Sequence, residues 1–153
     1  DLPPQATYTT NPDEYPINAS VTKFETKTDP KGRELPARTM IRFSGMAFAT
    51  VKDKAEKLRF EFQVSPQKQK KREFEKNELS GKNEWTGIYL DADDIQTKLY
   101  AQANAVYRNI NGEYPKKVID LVSFLVSTPF RLRTFNTPDG KTIVMALSST
   151  KRG

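Results

Sequence analysis

Lysine and arginine side chains interleaved with aromatic rings are the residues of this sequence best suited to chemistry. The candidate contact residues are Arg42, Lys68, Lys70, Lys71, Arg72, Phe74, Lys76, Arg131 and Arg133. Cationic side chains gain affinity for phosphates by releasing condensed counterions, and aromatic rings stack on unpaired bases. The pattern predicts a surface that binds a nucleic acid, in particular a single strand.

These cations also have a simpler interpretation as ordinary surface charge. Glu73 and Glu75 interrupt the run over residues 68–76, and runs of mixed charge are usually solvated faces. Arg131 and Arg133 share one face of a predicted strand, where basic residues also protect a sheet edge against pairing with other chains. Both interpretations stay open from the sequence.

Positive charge is concentrated in two parts of the chain. The whole sequence carries +6, whereas residues 23–82 hold 16 bases and 9 acids, and residues 114–153 hold 7 bases and 2 acids. Residues 83–113, between them, hold 2 bases and 5 acids. This distribution favours one basic face over a uniformly basic surface, as expected of a protein that binds a polyanion.

The residue types that are missing exclude several kinds of enzyme. The 153 residues include no His and no Cys, which removes Ser-His-Asp triads, thiolate nucleophiles, zinc–cysteine sites and iron–sulfur clusters. Acid–base catalysis would fall to carboxylates, Lys or Tyr. None of the 7 glycines has the spacing of a phosphate-binding loop. We therefore expect neither enzyme activity nor a cofactor.

Three acids, Asp91, Asp93 and Asp94, have the spacing that opens a calcium-binding loop. The Gly and Glu that such a loop needs at its sixth and twelfth positions are replaced by Gln96 and Gln102. Acids also stabilise the start of a helix, because they accept hydrogen bonds from its free N–H groups and oppose its dipole. The cluster therefore predicts a helix N-terminus and no metal site.

Alternation of apolar and polar residues predicts the strands that would position the cations. Residues 58–64 show it most clearly, and residues 17–28, 39–51 and 85–90 are further strand candidates. The apolar phase of residues 39–51 slips at Gly45, which predicts a β-bulge or a strong bend. Near the C-terminus, Thr137-Pro138-Asp139-Gly140 predicts a hairpin turn between strands at 130–135 and 141–147.

Two helices are predicted after the fourth strand. The first follows the three acids and ends at Asn111-Gly112. The second covers residues 114–127, with a buried strand over residues 118–126 as the alternative. For residues 65–83, Ser65 and Pro66 suggest the N-cap and first turn of a short solvated helix, and a mobile loop is the alternative.

Four strands, two helices and a terminal hairpin predict an α+β fold with a bent antiparallel sheet or a small OB-like barrel. The Pro-rich residues 1–16 predict an extended N-terminal arm before a single domain over residues 17–153. An arm ordered along the sheet is the alternative.

The leading functional hypothesis is a non-enzymatic, cytoplasmic domain that binds single-stranded nucleic acid. Its basic sheet face would follow the phosphates while a flexible basic loop at residues 66–82 closes over them. The alternative is a secreted or periplasmic interaction or structural domain, such as an envelope-assembly subunit or effector, that binds an acidic protein or surface. The start at Asp1 in place of Met motivates that alternative. No apolar run approaches the roughly 18 residues that span a membrane.

Overall fold

The chain forms ten strands and two helices within residues 5–68, 70–91 and 94–150, which are the residues that the structure, a computed structural model, describes. In chain order these elements are β1 (Gln5–Thr10), β2 (Asn18–Phe24), β3 (Lys27–Thr28), β4 (Glu34–Leu35), β5 (Arg38–Val51), β6 (Lys54–Val64), β7 (Lys70–Lys76), β8 (Asn83–Asp91), α1 (Ile95–Asn111), α2 (Val118–Ser127), β9 (Phe130–Asn136) and β10 (Thr142–Ser149). The α+β class, the curled antiparallel sheet and the C-terminal hairpin are confirmed.

Strand β5 is the central element of the main sheet. Strand β6 pairs with one of its edges, whereas β2 and β1 lie end to end along the other. Strand β9 pairs with β1 and β10 pairs with β9, and the whole sheet curls into a half-barrel. Helix α1 packs against both β6 and β10 and so covers the open side.

Gly45 lies where the neighbour of β5 changes from β2 to β1. The register against β6 passes through Gly45, opposite Phe60, without a shift, so the predicted β-bulge is absent from this ladder. A Cβ atom at position 45 would lie 3.3 Å from Ile17 and 3.3 Å from the Phe60 ring. Glycine stands here because two core side chains occupy the space that a side chain would need.

The core lies between the inner face of the sheet and the two helices. Strand β6 alternates as predicted and buries Phe60 and Phe62 while its charged residues face solvent. The Phe43 and Phe62 rings stack 5.3 Å apart, and Phe130 meets Phe60 and Phe62 edge-on. The helices bury Leu99, Ala103, Val106, Leu121, Val122 and Leu125.

Both helices form where the periodicity predicts them. Asp94 caps α1 through its carboxylate, which accepts the Thr97 N–H at 2.8 Å. Gly112 ends α1 with φ at 82°, a left-handed conformation that favours glycine. Residues 118–127 are helical, so the alternative of a buried strand is wrong, and the helix begins at Val118.

Part of the predicted N-terminal arm belongs to the sheet. Strand β1 lies between β9 and β5, with Tyr8 opposite Leu132 and Thr9 opposite Phe48. The Tyr8 ring is buried in the core. Residues 5–10 are therefore ordered along the sheet, while residues 1–4 lie outside the described residues.

Residues 70–76 form a strand, so both the short helix and the mobile loop predicted for this segment are wrong. Ser65 is buried and its hydroxyl lies 3.1 Å from the Thr39 carbonyl, so it does not cap a helix. A turn closed by the Asn77 side chain, which accepts the Leu79 N–H at 2.9 Å, returns the chain into β8. The pairing with β8 decides the conformation of a segment whose own composition favours none.

Candidate functional site

The β7–β8 hairpin has two chemically different faces. Its register places Arg72 opposite Tyr89 and Phe74 opposite Trp85, and directly paired residues share a face. One face, called the basic-aromatic face below, consists of Lys70, Arg72, Phe74, Lys76, Trp85 and Tyr89, with Asp91 opposite Lys70 and Asn83 opposite Lys76. The other carries Lys71 with the acids Glu73, Glu75 and Glu84. The two acids that interrupt the basic run in the sequence therefore point away from the basic-aromatic face.

Three cations surround the ring of Trp85, the single tryptophan of the chain. The guanidinium carbons of Arg72 and Arg33 lie 4.7 and 5.1 Å from the ring centre, and the Lys31 Nζ lies at 5.3 Å. The electron-rich face of an indole attracts cations at these distances. Trp85 therefore holds three positive charges in fixed positions at the surface of the hairpin.

Arg33 and Lys31 reach Trp85 because the turn between β3 and β4 is fixed to the hairpin. One oxygen of Asp29 accepts the backbone N–H groups of Lys31 and Arg33, both at 2.9 Å. The other accepts the Tyr89 hydroxyl at 3.0 Å. Glycine at position 87, with φ at 90°, leaves room for the Arg33 guanidinium, which would lie 2.2 Å from a Cβ atom there.

The Asp29 carboxylate lies beside this cluster, and its attraction to Arg33 offsets part of the positive charge. In the described part of the chain, Lys31, Arg33, Arg72 and Lys76 form no ion pair. One guanidinium nitrogen of Arg33, Nη1, is buried without a hydrogen-bond partner. Because this nitrogen is enclosed by protein, a ligand anion would meet the cluster at the exposed side chains of Lys31, Arg72 and Lys76.

The Asp29–Tyr89 contact shifts both pKa values. Partial desolvation opposes ionisation of Asp29, but hydrogen bonds from Arg33, Tyr89 and Lys31 outweigh it and hold the pKa of Asp29 below its ordinary value of 3.8. Desolvation, followed by the hydrogen bond to Asp29, raises the pKa of the Tyr89 hydroxyl. The hydrogen bonds between the turn and the hairpin are therefore strongest while Asp29 is ionised.

We expect the Trp85 fluorescence of the intact protein to change on acidification in a transition whose midpoint lies below pH 3.8. A lowered pKa in the folded state means that ionised Asp29 stabilises the contact above the unfolded-state pKa, and that this contribution is lost as the pH falls through the folded-state pKa. The transition should be absent from an Asp29→Asn variant. Far-UV circular dichroism, recorded in parallel, separates this step from global unfolding, and a wild-type midpoint at or above 3.8 would contradict the assignment.

The remaining predicted residues of the basic run differ in how available they are. Phe74 is 55% exposed, so its ring is open to a ligand. Lys70 forms an ion pair with Asp91. The hydrogen bond that Lys70 donates, together with its positive charge, lowers the pKa of Asp91. Lys68 precedes the hairpin and is exposed, and Lys71 lies on the acidic side.

Arg131 and Arg133 lie on a different surface, the outer face of the main sheet. They alternate along β9 with the buried residues Phe130, Leu132 and Thr134. The register places Arg131 opposite Thr9, which in turn lies opposite Phe48 on β5. Gln67, in the segment that leads into the hairpin, contacts β5 at Thr39 instead, nine positions from Phe48, which is about 30 Å along the strand. The structure does not bring these two arginines to the basic-aromatic face.

Arg42 also lies outside the basic-aromatic face. It stands on the outer face of β5 and forms an ion pair with Glu61 at 2.7 Å. Its charge is therefore already compensated within the sheet, although both side chains remain exposed.

Sequence reasoning missed Lys31 and Arg33. They are about forty positions from the run at residues 68–76, and only the Asp29–Tyr89 and Arg33–Trp85 contacts bring the two segments together. No local pattern marks these two residues; the alternation of Lys70, Arg72, Phe74 and Lys76 with Lys71, Glu73 and Glu75 indicated only that the run itself is a strand.

The three acids proposed for a helix start are only partly described. Asp94 caps α1, Asp91 pairs with Lys70, and Asp93 lies outside the described residues. Over residues 5–68, 70–91 and 94–150 no cluster of acids is placed to hold a metal ion.

Comparison with known proteins assigns no family. No family model matches the chain, and neither the curated proteins nor the solved structures gave a significant match. Within the described residues, neither helix has the length and hydrophobicity to span a membrane.

Proposed function

We propose that this protein binds single-stranded nucleic acid through the basic-aromatic face, without catalysing a reaction. The observation that carries the proposal is the group of three cations around Trp85, none of which forms an ion pair within the described residues, beside the exposed ring of Phe74. Phosphates would offset the positive charge that remains in excess of Asp29, and an unpaired base would stack on the Phe74 ring.

The dimensions of the hairpin suit a short stretch of strand. Lys70, Arg72, Phe74 and Lys76 repeat along β7 every second residue, at intervals of about 6.8 Å. From Lys70 to Lys76 the face extends about 20 Å, which corresponds to about six nucleotides at 3.4 Å per stacked nucleotide.

The exposed Phe74 ring favours a single strand over a duplex. Base pairs in a duplex are stacked on each other, so their faces are closed to a protein ring. Stacking of a freed base on an aromatic side chain contributes about 1–3 kcal/mol and depends little on base identity. We therefore expect weak sequence preference together with clear strand preference.

A fluorescence-anisotropy titration with a labelled oligonucleotide of about twelve nucleotides tests the proposal. Lys31, Arg33, Arg72 and Lys76 each contribute about −0.7 to the slope of log affinity against log salt, which predicts a slope of about −3. Affinity should then be micromolar or tighter at low salt and fall about 50-fold between 50 and 200 mM salt. Quenching of Trp85 should follow the same binding curve.

Two outcomes would overturn the proposal. The first is no detectable binding of a single strand at low salt. The second is polyglutamate binding with equal affinity and equal Trp85 quenching, which would make an acidic protein the partner and support the interaction-domain hypothesis. A duplex of the same sequence serves as the control for strand preference.

A further inference from the structure

A pocket at the base of the hairpin offers a second, more specific anion site. It has a volume of about 190 Å³ and lies between the ends of β2 and β4, the start of β5 and the segment that leads into β7. The residues that matter to its chemistry are Phe24, Glu25, Lys27, Arg38, Lys68 and Lys70. We propose that this pocket binds the terminal phosphate of the nucleic acid strand; the inference rests on the proposed function.

The electrostatics of the pocket favour an anion. Four cations and one carboxylate, Glu25, line it, and because Asp91 neutralises Lys70 the remaining balance is +2. Within the described residues, Lys27, Arg38 and Lys68 form no ion pair, whereas Lys70 is paired with Asp91. The Arg38 guanidinium stacks on the Phe24 ring, with its carbon 4.6 Å from the ring centre, which holds this cation in place at the pocket.

The pocket volume selects a small ligand group. At about 190 Å³ the pocket is smaller than the roughly 300–1,000 Å³ of typical drug-sized sites. It therefore suits a phosphate with part of its sugar better than a whole nucleotide chain. A terminal phosphate monoester carries a charge of about −1.5 to −2 at neutral pH, against −1 for an internal diester, so it matches the excess of cations better.

The position of the pocket connects it to the basic-aromatic face. Lys70 lines the pocket and is also the first residue of that face. A strand lying along β7 toward its N-terminal end therefore reaches the pocket with one of its ends. The direction in which the nucleic acid strand lies along β7 decides whether its 5′ or its 3′ end reaches the pocket. Comparing 5′- and 3′-phosphorylated oligonucleotides distinguishes the two directions.

The test uses three oligonucleotides of one sequence, carrying a 5′ phosphate, a 3′ phosphate or no terminal phosphate. We expect one phosphorylated form to bind the wild-type protein about 10-fold more tightly than the unphosphorylated form, as charge-assisted hydrogen bonds to a dianion would give. Arg38→Gln should remove this preference and leave the affinity for the unphosphorylated form unchanged. Lys27→Gln, at an exposed position, provides a second variant in case Arg38→Gln misfolds.

Arg59→Gln, which removes an exposed charge from the outer face of β6, is the matched control and should keep the preference. Equal affinity of the wild-type protein for all three oligonucleotides would overturn the pocket assignment while leaving the proposed function intact. Binding of a phosphorylated form alone would support the pocket and overturn the role of the basic-aromatic face. A preference that survives both Arg38→Gln and Lys27→Gln would also overturn the assignment.

Discussion

Replacing Arg33, Arg72 and Lys76 together by Gln is expected to weaken oligonucleotide binding about 100-fold at 50 mM salt. Each of these cations forms no ion pair among the described residues, so under the proposed function each substitution would remove one phosphate contact. Three exposed charge contacts of up to about 1 kcal/mol each give a loss of about 3 kcal/mol, or two orders of magnitude. The slope of log affinity against log salt should also become less steep by about 2.

The matched control is Lys98, Lys116 and Lys141 replaced together by Gln. These three lysines are exposed, lie away from the hairpin in the chain and change the net charge by the same amount. If the control triple weakens binding as much as the hairpin triple, the protein binds through its overall charge and the basic-aromatic face has no special role. Thermal melts of both variants show whether each one folds, since Arg33 and Arg72 also pack on Trp85.

Local patterns were sufficient for much of the fold. Alternation around Phe60 predicted β6, the helical spacing of Leu99 and Val106 predicted α1, and Gly112 marked its end. Each of these signals comes from residues close together in the chain, and each is enforced by burial of an apolar face. The C-terminal hairpin follows the same logic, because its turn residues and its flanking strands are adjacent.

The errors arise where pairing between distant segments decides the structure. Strand β7 has no continuous apolar face, so its sequence alone predicts a solvated helix or a loop. Its pairing with β8 makes it a strand. Strand β1 lies in a Pro-rich lead-in and becomes a strand because β9 and β5 flank it. The phase slip at Gly45 predicted a β-bulge or a strong bend; the ladder has no bulge there, and the approach of Ile17 and Phe60 to Gly45 cannot be deduced from the sequence.

The candidate site shows the same division. The run at residues 68–76 was identified from its residue types, but its division into a basic and an acidic face required the strand. Lys31 and Arg33 were missed because tertiary contacts of Asp29 and Trp85 bring them in. Arg131 and Arg133 were grouped with the run on charge alone, whereas the sheet register places Arg131 opposite Thr9, which pairs with β5 nine positions from Thr39.

Phe130→Ala is expected to cost about 3–5 kcal/mol of the free energy of unfolding. The Phe130 side chain is fully buried and meets Phe60 and Phe62 with ring centres 6.5 and 6.3 Å apart. Its removal leaves a cavity where two strands and the aromatic core converge, and cavities of this kind add to the lost transfer free energy. The backbone of Phe130 is held in place, because its N–H donates to the Thr10 hydroxyl oxygen at 3.0 Å, so collapse around the cavity is restricted. Urea denaturation measures the change, and the melting temperature should fall by about 10 °C.

Phe135→Ala is the control on the same strand, since Phe135 is 38% exposed on the outer face and should cost less than about 1 kcal/mol. Equal losses of unfolding free energy in the two variants would mean that the aromatic cluster around Phe130 does not stabilise the core. Below its own melting temperature, Phe130→Ala should bind oligonucleotides like the wild type. The contacts that fix the basic-aromatic face run through Asp29, Tyr89 and Trp85 and include no residue of β9. Because distant sites without shared partners act independently, stability and binding should separate in this variant, whereas the hairpin triple should lose binding and keep the core.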